Sequence, residues 1–167
     1  VLYWSITTRT TLQDGLYSYD AIGRLQDPTT SDKDLSNIGK YIQLGPLGTA
    51  LLPSKRPRAL LIDEIDKGDI DLPNDLLGVF EDGSFSIREL TRLQKELPEA
   101  KVQTFYTTGD EQTATVKQGR IDCDEFPFIV LTSNGERDFP APFLRRCVRL
   151  TMKEPDADML AAIVESH

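Results

Sequence analysis

The sequence predicts an α/β fold built on a parallel sheet, and three observations carry that prediction. Ala59-Leu60-Leu61-Ile62 is apolar on both faces, as a parallel strand is when helices cover each side of its sheet. Phe128-Ile129-Val130-Leu131 repeats the pattern further on. Between and after these runs, Leu76, Leu77, Val79 and Phe80, and later Met159, Leu160, Ile163 and Val164, fall at helical spacing, so that strands and helices alternate.

Val1 to Thr8 mixes β-branched and aromatic residues and reads as a strand bounded by the polar stretch Thr10 to Asp14. Asp20 to Arg24 is one helical turn, and Gln26 to Lys33, rich in Asp, Pro, Thr and Ser, is a solvated loop. Ile38 to Leu44 reads as a strand closed by Gly45-Pro46. The turn Pro53 to Pro57 launches the Ala59–Ile62 strand, and the following helix stops at Asp82-Gly83. Ser84 to Ile87 alternates like a short strand, and Thr91 to Leu97 is a charged helix halted by Pro98. Val102 to Thr107 and Thr113 to Lys117 flank Thr108-Gly109-Asp110-Glu111 as a β-hairpin. After the buried strand Phe128–Leu131 come a short helix, Pro142 to Arg146, and a third core strand, Cys147 to Met152. An amphipathic helix begins at Asp156. No internal repeat or low-complexity segment interrupts the pattern. The start inside a strand without Met, and the end inside a helix, read as cuts through a longer polypeptide.

Composition narrows the function. The 167 residues, 39% hydrophobic and 28% charged, suffice for one domain or part of a larger one. Lys and Arg number 19 against 27 Asp and Glu, a net charge of -8, which argues against coating phosphate backbones but leaves room for a local basic strip. No apolar run approaches the roughly 18 to 20 residues that cross a bilayer, and none reads as a signal peptide. Cys123 and Cys147 are too far apart for a CxxC motif and read as reduced, buried thiols of a cytoplasmic protein. His167 stands alone at the terminus, which excludes a His-dependent triad or a His-rich zinc site.

Three places carry candidate chemistry. Asp63 and Glu64 end the Ala59–Ile62 strand, at the carboxyl edge where open α/β sheets bind ligands. Adjacent carboxylates there are costly unless they manage a cation or a water. Asp63 would hold Mg²⁺, directly or through water, and Glu64 would activate a water; the plainer reading is an acidic turn, since Asp66, Asp69 and Asp71 follow. The offsets exclude an EF-hand. Asn134, at the tip of the neighbouring strand, would touch a phosphate or hold the attacking water, although Asn134-Gly135 is also a plain turn dipeptide. Arg145 and Arg146 either face solvent or offer a guanidinium to a phosphate in a neighbouring subunit.

In order and spacing, Gly45-Pro46-Leu47, Asp63-Glu64-Ile65-Asp66-Lys67, Thr132-Ser133-Asn134 and Arg145-Arg146-Cys147 resemble the second half of an AAA+ ATPase core, and most of all its MoxR-type branch. The resemblance covers roughly residues 1 to 155. It implies a partial AAA+ parallel sheet with flanking helices, its first strand missing, over 1–154, with 155–167 opening the helical lid. It makes Asp63 and Glu64 the Walker B pair, Asn134 the sensor 1 residue and Arg145 or Arg146 the arginine finger, and it places hairpin insertions between Ser84 and Phe126. Residues 45–52 depart from GxxxxGK[ST] at the second Gly, the Lys and the hydroxyl, and lie too close to Asp63, so they are not a P-loop. The P-loop is expected before Val1 and a sensor 2 arginine beyond His167, and nucleotide affinity without them is expected to be very weak. Removing the first strand takes out an interior member of the sheet, leaving Cys147–Met152 without a neighbour and backbone edges unpaired.

The implied activity is ATP hydrolysis with ATP and Mg²⁺, in a homo-oligomeric ring that remodels a client protein in a chaperone-like role. The alternatives are a non-catalytic pseudo-ATPase scaffold or interaction module, and a metal-dependent phosphotransfer or nuclease domain on Asp63, Glu64, Asp66 and Asp69. The acidic hairpin tip around Gly109 speaks for a protein partner over nucleic acid.

Overall fold

Alternation of Leu2 and Trp4 inward with Tyr3 and Ser5 outward makes β1 (Leu2–Ser5) a strand with one buried row. The computed structural model describes residues 1–27 and 35–152. Thr10 to Asp14 proves to be a helix start. Asp14 N–H donates to the Thr11 hydroxyl and Thr11 N–H to the Asp14 carboxylate, a capping box that opens α1 (Leu12–Leu16). Gly15 is required there, because a Cβ would stand 2.3 Å from the Trp4 ring. β2 (Tyr17–Tyr19) follows, then α2 (Ala21–Gln26), whose cap Asp20 accepts from Gly23 N–H at 2.8 Å. The expected loop from Gln26 to Lys33 lies mostly outside the described residues. The expected strand Ile38–Leu44 is shorter. A 3-10 turn spans Leu35–Tyr41 and only Ile42–Leu44 forms β3, since Asn37, Gly39 and Lys40 are poor strand formers.

Gly45 and Pro46 then start a helix, α3 (Pro46–Ala50), with every residue buried. β4 (Ala59–Asp63) is followed by a 3-10 turn, Ile65–Lys67, and by α4 (Leu72–Asp82), which ends at Gly83 with φ +60°. β5 (Ser84–Ser86) leads into α5 (Arg88–Thr91). The charged helix expected over Thr91–Leu97 is corrected to this earlier, single-turn helix and a run of tight turns. The Thr91 hydroxyl folds back onto the Ile87 carbonyl, and the turns close by bonds such as Glu96 N–H to Leu93 O. β6 (Glu99–Gln103) and β7 (Thr113–Lys117) form the expected hairpin, with the first strand three residues earlier than read; β8 (Arg120–Asp122), β9 (Phe128–Leu131) and α6 (Ala141–Leu144) complete the set.

The strands form two sheets. β1, β4 and β9 make a parallel three-stranded sheet with β4 in the middle, aligned as Leu2–Leu60–Ile129 and Trp4–Ile62–Leu131. The other six make a mixed sheet in the order β2-β3-β6-β7-β8-β5, parallel only between β3 and β6. The segment expected to hold insertions therefore joins β2 and β3 in a sheet of its own. The core fills the space between, with α3 packed on β1, β4 and β3.

Two expectations of burial are corrected. β4 is covered on one face: Leu60 and Ile62 are buried, whereas Leu61 is half-buried and its row neighbours Tyr3 and Val130 are 49% and 42% exposed. β9, expected in the core, is an edge strand of this sheet among the described residues, with Phe128 67% exposed. The strand expected over Cys147–Met152 does not form. Val148, Leu150 and Met152 alternate as a strand would but stand fully in solvent, because no described strand offers them a backbone ladder. Cys123 and Cys147 are free thiols and only half-buried, each pushed up in pKa by partial desolvation. Among the described residues no helix is long and apolar enough to cross a membrane. The lid helix expected from Asp156 lies outside the described residues.

Candidate functional site

Parallel register builds the site. With Ile62 opposite Leu131, the next residues at the carboxyl edge are Asp63 on β4 and Thr132 beyond β9. The Thr132 hydroxyl donates to Asp63 Oδ1 at 2.5 Å and accepts from Glu64 N–H at 2.9 Å. Tyr3, two residues before Ser5 on the same outer face as Asp63, donates its phenol to Asp63 Oδ2 at 2.6 Å. Asp63 is therefore oriented by a donor on each oxygen. The Thr132 hydroxyl, then Tyr3, hold its pKa below the usual carboxylate range, while the same bond raises that of the Tyr3 phenol.

Past Asp63 the chain turns sharply. Glu64 has φ +60° and ψ +47°, a left-handed conformation that costs a non-glycine residue roughly 1–2 kcal/mol. Ile65 N–H to Thr132 O at 3.0 Å, with the Thr132 hydroxyl on Glu64 N–H, keeps the turn in place. The result aims the Glu64 carboxylate across the strand tip. Its Oε1 accepts from Lys67 Nζ at 2.5 Å and from the Asn134 side-chain amide at 3.3 Å. Glu64 raises the pKa of Lys67, which stays a full cation.

The loop carrying Asn134 is pinned from below. Asp66, only 4% exposed, accepts from Asn134 N–H at 3.0 Å and Glu136 N–H at 3.1 Å, both on Oδ2. Burial pushes the Asp66 pKa up, but Glu136 N–H, the nearby Ser133 hydroxyl and Asn134 N–H outweigh it, and the net shift is downward. Arg137 closes the far end by donating to the Gly68 and Asp69 carbonyls.

Of the residues singled out in the sequence, Asp63, Glu64 and Asn134 come together. Arg145 and Arg146 are separated from each other in role. Arg146 pairs with Glu81 on α4 and donates to the Pro142 carbonyl, whereas Arg145 is exposed and no described group pairs with it. Asp69 turns its carboxylate to Asp71 N–H, and among the described residues no three His, Cys, Asp or Glu converge on a metal position. The four-acid phosphotransfer reading accordingly has no geometric support. Asp63 instead presents hard oxygen donors that suit Mg²⁺ of the kind held by one carboxylate, waters and substrate phosphates. The cluster is open to solvent. Two shallow depressions, of about 390 and 240 Å³, lie around Arg58 at the opposite end of β4, and include none of these residues. Lys55, Arg56 and Arg58 line the larger of the two, with Arg58 paired to Glu111 near the hairpin tip.

Sequence reasoning gave no role to Tyr3, Thr132 or Lys67. Thr132 was within reach: aligning the two apolar strands on their last members places its hydroxyl against Asp63. Tyr3 required the pairing of β1 with β4, which the sequence does not state.

A scan of family models and searches of curated proteins and solved structures return no match to this chain.

Proposed function

We propose that this chain is the Walker B and sensor 1 portion of an AAA+ ATPase core of the MoxR type, which in the complete protein couples ATP hydrolysis to remodelling of a client protein. The single observation that carries this reading is the meeting of Glu64 and Asn134 at adjacent parallel strand tips, 3.3 Å from amide to carboxylate. A base and an amide so placed can share one water, the base taking its proton and the amide fixing its direction.

Each residue then has a task. Asp63, kept ionised and oriented by Thr132 and Tyr3, would hold Mg²⁺ through oxygen. When bound, the ion would supply charge neutralisation for the phosphates. Glu64 is the general base, and Lys67 holds its Oε1 in place until substrate charge competes for the ammonium. Arg145, exposed and unpaired among the described residues, reaches the next subunit of a ring, and Arg146 braces α6 against α4 through Glu81. Among the described residues the far edge of β9 is open, which agrees with this reading, since it puts the sheet's first strand there.

The test is Mg²⁺-dependent ATP hydrolysis by the complete protein that contains this chain. Turnover should fall at least about 100-fold in Asp63→Ala and in Glu64→Gln. Hydrolysis that ignores both substitutions sinks the assignment. The second reading, the non-catalytic scaffold, differs from the first in nucleotide binding. Complete protein that binds no ATP at millimolar concentration would decide for the scaffold.

A further inference from the structure

A buried carboxylate joins the two halves of the site through backbone amides. We propose that Asp66 is the positioning residue of this site: by holding the Asn134 and Glu136 amides it sets the Asn134 side chain against Glu64. This deepens the ATPase reading and, for its kinetic consequence, rests on it.

Four observations converge. Asp66 lies two residues past Glu64, on the same 3-10 turn, so whatever it grips is fixed relative to Glu64. It grips the backbone on both sides of Gly135, whose φ of +74° lets the loop wrap the carboxylate oxygen. Its second oxygen, Oδ1, is buried with no hydrogen-bond partner among the described residues. A buried charge is an expensive way to tie a loop, and a neutral acceptor would serve if holding the chain were all that mattered. Finally, Arg137 fastens the other end of the same loop to Gly68 and Asp69, so residues 134–137 are clamped onto 66–69 at two points. Between these clamps the Asn134 side chain is the free reporter, and its bond to Glu64 at 3.3 Å is at the long end of the hydrogen-bond range. A shift of a few tenths of an ångström in the loop breaks it.

The inference separates coupling from stability. In the 167-residue chain, the ¹H–¹⁵N signals of the Asn134 side-chain amide should move when Glu64 is changed to Gln. In an Asp66→Asn background that response should shrink at least about threefold, because the two groups are no longer held together. Val116→Ala, a core change in the other sheet, serves as the control of comparable destabilisation and should leave the response intact. Should Asp66→Asn fail to fold, Arg137→Gln releases the opposite clamp and should halve the response. In the complete protein, Asp66→Asn should lower kcat about 10- to 100-fold with KM within about twofold. An unchanged Asn134 response in both clamp variants, or its equal loss in Val116→Ala, overturns the proposal. A complete protein without ATPase activity sinks the ATPase reading alone, and the amide response still decides the role of Asp66.

Discussion

The two faces of the three-stranded sheet differ in what holds them. The inner rows, Leu2–Leu60–Ile129 and Trp4–Ile62–Leu131, sit against the core. The outer row Tyr3–Leu61–Val130, and Phe128 beside it, are equally apolar but only partly covered. Yet Asp63 belongs to the outer face, held there by Tyr3. Apolar pattern alone therefore states that a face is suited to burial and leaves open what buries it. Polar spacing is more self-contained, because the groups that satisfy Asp63, Glu64 and Asp66 come from strand tips already in register.

The largest effect that sharpens this contrast is on stability. Ile62→Ala, at a fully buried side chain on the inner face, should cost about 2–5 kcal/mol in a denaturant titration of the chain. Leu150→Ala, whose side chain is 89% exposed, should change it by less than about 0.5 kcal/mol. Equal costs would mean that Leu150 is buried in solution. Thr132→Val comes next. Losing the donor to Asp63 and the acceptor for Glu64 N–H should cost about 1–3 kcal/mol, read in the same titration, and relax the left-handed Glu64.

A smaller effect is the acid limb of stability. The folded Asp66 carboxyl ionises below its unfolded value of about 3.9. Its stabilisation is therefore complete above that pH and vanishes as pH falls through the lower, folded value. Asp66→Asn should flatten the loss of stability below about pH 4 and leave the slope between pH 5 and 7 unchanged. A steepening above pH 5 would contradict the sign of the shift.

The sequence was most legible where a residue's partner is near in the chain or fixed by strand register. Ala59–Asp63, the helix ended by Gly83 and the hairpin of β6 and β7 follow from local pattern. The meeting of Asp63, Glu64 and Asn134 follows from two apolar strands lying side by side. What sequence misassigned depends on distant partners. Thr10–Asp14 looked like a boundary because its polar residues cap a helix. Cys147–Met152 has the alternation of a strand, but a strand exists only when another offers its backbone. The membership of β5 and β8 in the second sheet was invisible because three-residue strands carry almost no periodicity.

Nucleotide recovered from the protein tests the central claim most directly, that Glu64 and Asn134 together activate a water. After mixing complete Glu64→Gln protein with Mg²⁺ and labelled ATP, removing free nucleotide and quenching in acid, the bound label should be ATP, with wild type carrying ADP. Bound ADP in the variant, formed at the wild-type rate, would contradict the account.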